Sequence, residues 1–407
     1  MKKIVGTIAA IALATSAVFA DVNVGMGFSR GFFTPFAYDG NDARMDISTS
    51  WGGQPRIGGS ISGASDECGV VGDFKFDGGE VTVNDNAYVW VKPASWLKLN
   101  IGQSFDDTLR GNACFGVYDW LRIGAGCFGE DFTFTRICGN PLAGAYAPLV
   151  GAIVQLDPIE GLHIGVSFPI YGKTTKAAGF ALKTPTAAGP AEWEATAASE
   201  EASAYTNSKM EDVFSTMQVA AGYTIDGIGT IKAQWIGGGK NYVKNAGDDP
   251  VVWGQIEAGF DLKAVEDMTL NIGAKFTTKK DSPIGVSAYW SMPFDALRIH
   301  AGAGVTITPK KAGDNSQIDL VAGVAVDYDL GNGLGITADF RYAQAFLKDA
   351  TGAAYDPRIG VGAWVNKGIA NGTVGVGAQF TSKTTIRDFA QADDINFAIP
   401  VRVQCFF

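Results

Sequence analysis

The sequence is short of charge, of histidine, of cysteine and of long apolar runs. Charged residues make up 18% of the 407, against roughly 25% in an ordinary soluble domain. After residue 20 there is no uninterrupted apolar stretch of ~18 residues, which argues against a helical membrane protein; a mean hydropathy of +0.09 agrees. Only two histidines are present, His163 and His300. Neither stands near a Gly-x-Ser-x-Gly elbow, which the chain lacks, so no base–nucleophile pair of a hydrolase is legible. GNGLG at 331–335 is a glycine-rich turn and does not fit the dinucleotide pattern. With no Cys-x-x-Cys there is no metal signature. The net charge of −10 with no basic patch argues against nucleic acid. The expectation is a chain that is not an enzyme and uses no cofactor and no metal.

What is abundant is glycine, 53 residues, and alternation. The first 20 residues stand apart: Lys2 and Lys3 precede a mostly apolar stretch from Ile4 to Ser16, and Val18-Phe19-Ala20 offers a small-x-small cleavage site. This predicts a secretory signal peptide over 1–20, with Asp21 as the mature N-terminus. No cysteine follows the cleavage site, so a lipoprotein anchor is not expected.

At the other end, NFAIPVRVQCFF carries Phe407, Cys405, Val403, Val401, Ile399 and Phe397 on one face. The opposite face is mostly polar and includes Gln404, Arg402 and Asn396. Such alternation is a strand signature. The run is longer than the about 5–6 residues of a globular strand and suits a membrane-crossing one of about 9–11.

The same phrase recurs along the chain: VKPASWLKL at 91–99, LDPIEGLHI at 156–164 and LKAVEDMTL at 262–270, with weaker copies at 117–123 and 292–299. Each reads as two strands joined by a short turn. Turns are expected near 52–55, 92–96, 116–120, 157–161, 226–230, 263–267, 293–296, 329–333 and 366–373, alternating with longer polar connections. The longest of these, at 169–212, is low-complexity. The expected fold is all-β: one transmembrane antiparallel β-barrel over 21–407, of about 16–20 strands, with short periplasmic turns and long extracellular loops. A barrel this wide is too large to fill with apolar side chains. The apolar face therefore meets lipid, and the polar face lines the interior. A multidomain β-sandwich is the soluble alternative.

The inward phase then carries charge of both signs: Arg44, Asp46, Lys98, Arg122, Asp157, His163, Glu257, Asp261, Lys275, Arg298, His300, Asp327, Asp339, Arg341 and Arg402. A soluble core does not tolerate this many charges on one face, whereas a water-filled pore needs them. The acidic pairs Asp106-Asp107, Asp248-Asp249 and Asp393-Asp394 read as solvated loop charge, with Ca²⁺ or lipid-headgroup bridging as the sharper alternative. Cys68, Cys114, Cys127 and Cys138 are candidates for two disulfides of undetermined connectivity. Cys405 falls on the lipid-facing phase.

Signal peptide, alternating strands and terminal phenylalanine together resemble bacterial outer-membrane β-barrel proteins of the porin type, with a faint likeness to spirochaete outer-sheath proteins. The resemblance covers the mature chain in pattern, through no single family-specific motif. It implies outer-membrane lipid as solvent, and periplasmic chaperones and the barrel insertase as partners. Val401, Val403, Cys405 and Phe407 would form the assembly signal. It also implies small hydrophilic solutes as cargo, through a weakly ion-selective passive channel. Assembly as a homo-oligomer and contact of the loops with host surface ligands stay open. Two rivals remain: a closed barrel whose loops serve structure or adhesion, and a substrate-specific transporter.

Overall fold

The computed structural model describes residues 21–38, 42–48, 56–77, 80–110, 149–170, 174–176, 179–182, 193–196, 199–201, 209–244, 246–280, 282–309, 317–345, 358–381 and 397–405. The signal-peptide segment 1–20 lies outside them. The elements, in order, are β1 (Asp21–Tyr38), β2 (Ala43–Ser48), β3 (Arg56–Ala64), β4 (Cys68–Asp77), β5 (Glu80–Ala94), β6 (Leu97–Ser104), β7 (Leu149–Leu156) and β8 (Leu162–Pro169). Four short strands follow: β9 (Thr174–Lys176), β10 (Gly179–Leu182), β11 (Trp193–Thr196) and β12 (Ser199–Glu201). Then come helix α1 (Met210–Thr216), β13 (Gln218–Ile225), β14 (Gly229–Tyr242), β15 (Val251–Leu262), β16 (Thr269–Thr277), β17 (Ile284–Phe294) and β18 (Leu297–Thr308). The chain closes with β19 (Gln317–Gly331), β20 (Leu334–Ala345), β21 (Arg358–Ile369), β22 (Gly372–Thr381) and β23 (Phe397–Cys405).

The sheet closes on itself. β23 pairs antiparallel with β1, Cys405 opposite Ser29 and Phe397 opposite Tyr38. β8 passes directly to β13, Leu162 opposite Tyr223. β2 and β3 share one stave, lying against the second and first halves of β1. The 19 strands of the sheet therefore make eighteen staves, an even number inside the expected range. Closure joins the first and last staves, as a sheet surrounded by hydrocarbon requires.

Short turns gather at the end that holds both termini. Asp295, Asn332 and Asn371 adopt the left-handed backbone there, at φ near 55°, a conformation that Asp and Asn tolerate through their own backbone hydrogen bonds. Seven of the nine expected turns stand where the sequence puts them. The other two, at 52–55 and 116–120, lie outside the described residues, as do Arg122, Cys114, Cys127 and Cys138. Leu97–Ser104 pairs straight onto Leu149–Leu156, and a further short turn stands at Ser65–Glu67, between β3 and β4.

The faces are inverted relative to a soluble protein. Val286, Val324, Phe340, Val361, Val376, Phe380 and Val403 are exposed on the outside, while Gln234, Glu257, Asn271, Arg341, Gln379 and Arg402 are buried within. An apolar exterior of this extent is stable against lipid and not against water. In β23 the alternation runs from Phe397 to Arg402 as the sequence requires. Val401, Val403 and Cys405 stand on the outward phase; Phe407 lies outside the described residues. The 169–212 connection is not wholly irregular. β9 pairs with β12 and β10 with β11 as nested ladders of one hairpin arm, and α1 ends the connection. Cys68 is a free, exposed thiol at the short-turn end, within 3.4 Å of the Ser65 hydroxyl. Among the described residues Cys68 takes part in no disulfide.

Candidate functional site

The inward phase of each stave converges on the interior, and its polar side chains hold one another. On β14–β16, Lys232 reaches the Asp261 carboxylate at 2.6 Å, and Asn271 donates to the other oxygen at 2.6 Å. Beside them Glu257 accepts from Gln234 at 3.2 Å and from Gln255 at 2.5 Å. Lys275 stands opposite Glu257 in the ladder and is exposed. On β20, Arg341 donates through Nε and Nη2 to Asp339, at 3.0 and 2.8 Å. On β23, Arg402 reaches over β22 to β21, donating to Asn366 at 3.1 Å and lying over the Trp364 ring. Arg298 donates to Ser291 Oγ and to the Asp267 carbonyl, both at 3.4 Å. In the backbone ladder Arg44 stands opposite Ala37 and Asp46 opposite Thr34.

Both histidines lie just above short turns. His300 on β18 meets the Tyr289 hydroxyl through Nδ1 and Asp327 through Nε2, each at 2.8 Å. His163 on β8 meets Asp157 at 2.7 Å through Nδ1 and Asp106 at 2.8 Å through Nε2. Asp106 lies two residues beyond the end of β6. The chain at Phe105–Arg110 therefore turns back into the barrel rather than rising from it. Leu109, also buried, lands on Gly222, where a Cβ would stand 2.2 Å from its methyl carbon. Gly222 is the ladder partner of His163, so both contacts pin the segment at one place. Thr108 N–H donates to Asp106 Oδ1 at 3.0 Å. Burial alone would raise the Asp106 carboxyl, but the His163 hydrogen bond and charge and the Thr108 bonds hold it below the usual carboxylate range.

This corrects one expectation. Asp106 is not solvated loop charge: it is 2% exposed, whereas Asp107, Asp248 and Asp249 are exposed and Asp393-Asp394 lies outside the described residues. The inward charges divide. Asp157 and Lys275 are exposed and Lys98, Asp261, Arg298 and Asp327 half-buried, while Glu257, Asp339, Arg341, Arg402 and both histidines are each less than a tenth exposed. They hydrogen-bond along the wall, and the inturned segment covers part of it. Sequence reading missed Asp106, Gln234, Asn271 and Trp364 as members of this network. The inward phase of Gln234, Asn271 and Trp364 was legible; their partners, and the place of Asp106, were not.

The arrangement is a polar, locally neutralised passage inside a closed apolar cylinder. No family model matches the chain, and no curated protein matches it. Solved structures do. OccK2 of Pseudomonas aeruginosa superposes with a TM-score of 0.53 at 11% identity, over 95% of this chain and 97% of that one. OccK1 of the same organism gives 0.51 at 12%, over 95% and 98%. OmpT of Vibrio cholerae, an outer membrane protein, gives 0.49 at 12%, over 96% and 99%. The fold is that of a porin-type outer-membrane β-barrel. Its place is the bacterial outer membrane, where a closed sheet with an apolar outside and a polar inside satisfies every backbone group without water.

Proposed function

We propose that this barrel is a channel for small hydrophilic solutes, narrowed where Phe105–Arg110 turns inward. The observation that carries the reading is the polar interior with its charges paired locally, Lys232 with Asp261 and Arg341 with Asp339. Such pairs add little net stability, whereas a polar wall is what a water-filled passage needs. Pairing also accounts for the weak ion selectivity we assign: among the described residues no ring of one sign stands at the constriction. The reading is non-enzymatic. Both ring nitrogens of His163 are occupied by carboxylates, and those of His300 by Tyr289 and Asp327. Neither ring nitrogen is left to activate a nucleophile.

The chain would reach its membrane with 1–20 as a cleaved signal peptide and with Phe407, after Val401, Val403 and Cys405, read by the insertase. Deleting Phe407 is then expected to lower the yield of heat-modifiable barrel while secretion into the periplasm continues. A second reading, a substrate-selective channel, is favoured by the inturned segment at Phe105–Arg110; the OccK2 neighbour has been solved in complex with glucuronate.

The decisive experiment is planar-bilayer recording of the refolded protein in a KCl gradient. The expected result is stepwise conductance with a reversal potential near zero. A near-ideal cation or anion potential would overturn weak selectivity, and silence in well-folded barrel would move the reading to surface adhesion.

A further inference from the structure

Most inward cations have a carboxylate, amide or carbonyl partner, but two at the short-turn mouth do not. Lys92 near the end of β5 and Lys98 at the start of β6 both sit over the indole of Trp90, with Nζ at 5.5 and 5.2 Å from the ring centroid. Trp90 lies flat on the wall because its ladder partner is Gly69, where a Cβ would stand 2.7 Å from the ring. One face of the indole is thus closed, and both ammonium groups gather at the other. Among the described residues neither lysine has a carboxylate within ion-pair distance. Asp106 is within electrostatic reach of Lys98, but its two oxygens are engaged by His163 and the Thr108 N–H. Lys92 is exposed and Lys98 half-buried, so a solute in the mouth can reach both. Opposite Trp90 in the ladder stands Asn100, 1% exposed, whose side-chain oxygen has no hydrogen-bond partner.

We propose that Trp90, Lys92, Lys98 and Asn100 form a binding subsite for the phosphate group of a small organic phosphate. Two like charges held on one aromatic face repel each other, and a single anion between them relieves that repulsion. A phosphomonoester carries close to two negative charges at neutral pH, which matches two ammonium groups where a monocarboxylate neutralises only one. Lysine binds phosphate as a point charge, whereas the planar bidentate fit to a carboxylate belongs to arginine. The indole supplies an apolar floor for the organic part, and the Asn100 oxygen an acceptor for a hydroxyl. This deepens the channel reading and rests on it for its purpose, but it can be tested without conduction.

The test is isothermal titration calorimetry of the refolded barrel in detergent, with glucose 6-phosphate as probe and glucose and glucuronate as controls. Saturable binding of glucose 6-phosphate is expected, competed by inorganic phosphate. It should weaken about tenfold or more in Lys92→Gln/Lys98→Gln, the scale of losing charge-assisted contacts. If that double variant fails to refold, Lys92→Gln alone, at an exposed position, is expected to weaken binding in the same direction. Three results would each overturn the subsite: no binding by the wild-type barrel, unchanged affinity in the variants, or glucuronate binding as tightly as glucose 6-phosphate. KCl conductance of the same preparation reports separately on the channel reading.

Discussion

The two histidines occupy similar places and do different work. Each stands a few residues above a short turn, faces inward and bonds an aspartate at 2.7–2.8 Å. His300 joins Tyr289 and Asp327, residues of the two adjacent staves that the backbone ladder already holds together. His163 joins the wall to something that is not wall. Through Asp106 it anchors the segment after β6, which is otherwise held by a single backbone bridge at Asp106 and by Leu109 on Gly222. The same imidazole–carboxylate contact is therefore redundant where full ladders stand behind it and more nearly decisive where they do not. What matters is whether the groups it joins have another tie.

Replacing His163 with alanine should break that asymmetry most strongly. Asp106 would be left buried without its partner, and breaking a buried pair costs about 3–5 kcal/mol. The inexpensive response is local: Phe105–Arg110 leaves the interior and its carboxylate returns to water. Single-channel conductance should rise, and trypsin should gain access at Arg110, while the heat-modifiable barrel remains. Unchanged conductance would mean that the segment does not narrow the passage. Asp106→Asn should act in the same direction but less. The amide keeps one neutral hydrogen bond, worth about 0.5–1.5 kcal/mol, and loses the charge assistance; the rise in conductance should fall between wild type and His163→Ala.

The contrast also shows how far the sequence could be read. From β13 onward, period-two alternation and turn residues such as Asp295, Asn332 and Asn371 repeat without interruption, and each stave lies where its pattern puts it. The inward phase of Glu257, His300, Arg341 and Arg402 followed directly. Alternation assigns a side chain to a face but not to a partner, so the Lys232–Asp261 and Arg341–Asp339 pairs, and the closeness of the packing, were out of reach. In the N-terminal half a hairpin phrase is local and says nothing of long-range pairing: Leu97–Ser104 pairs with Leu149–Leu156, and the copy at 117–123 lies outside the described residues. Asp106 failed for the same reason. Its neighbours Asp107 and Thr108 look like a loop, and nothing nearby announces a histidine 57 residues away. Lys92 was overlooked because Pro93 after it reads as turn, although the alternation through Val89 and Val91 placed Trp90 inward.

Acid should sharpen the comparison from the other side. The folded Asp106 carboxyl is held below its ordinary value of 3.8. A group depressed on folding contributes stability above its unfolded value and loses it as pH falls through its folded one. The anchor should therefore hold from pH 7 down to about 4 and weaken only below the ordinary carboxylate range. Conductance is expected to be flat over the first interval and to rise below it, and Asp106→Asn should lack that acid-dependent rise. A step between pH 5 and 7 that survives in Asp106→Asn would assign the titration to another group.

The smallest effect should come from His300→Gln. Glutamine is polar, and its amide can donate to Asp327 or accept from Tyr289, though not both at the original distances of 2.8 Å. One hydrogen bond is weakened, on the order of 1 kcal/mol. The staves concerned stay joined by the full ladders from Ile284–Ile307 to Phe294–Leu297 and from Leu297–Tyr328 to Thr308–Gln317. No segment outside the wall depends on this histidine among the described residues, so neither conductance nor trypsin access should change. The urea midpoint of the refolded barrel should shift only slightly. A conductance increase as large as that of His163→Ala would show that His300 also restrains an inturned segment, and the distinction between a redundant and a decisive contact would fail.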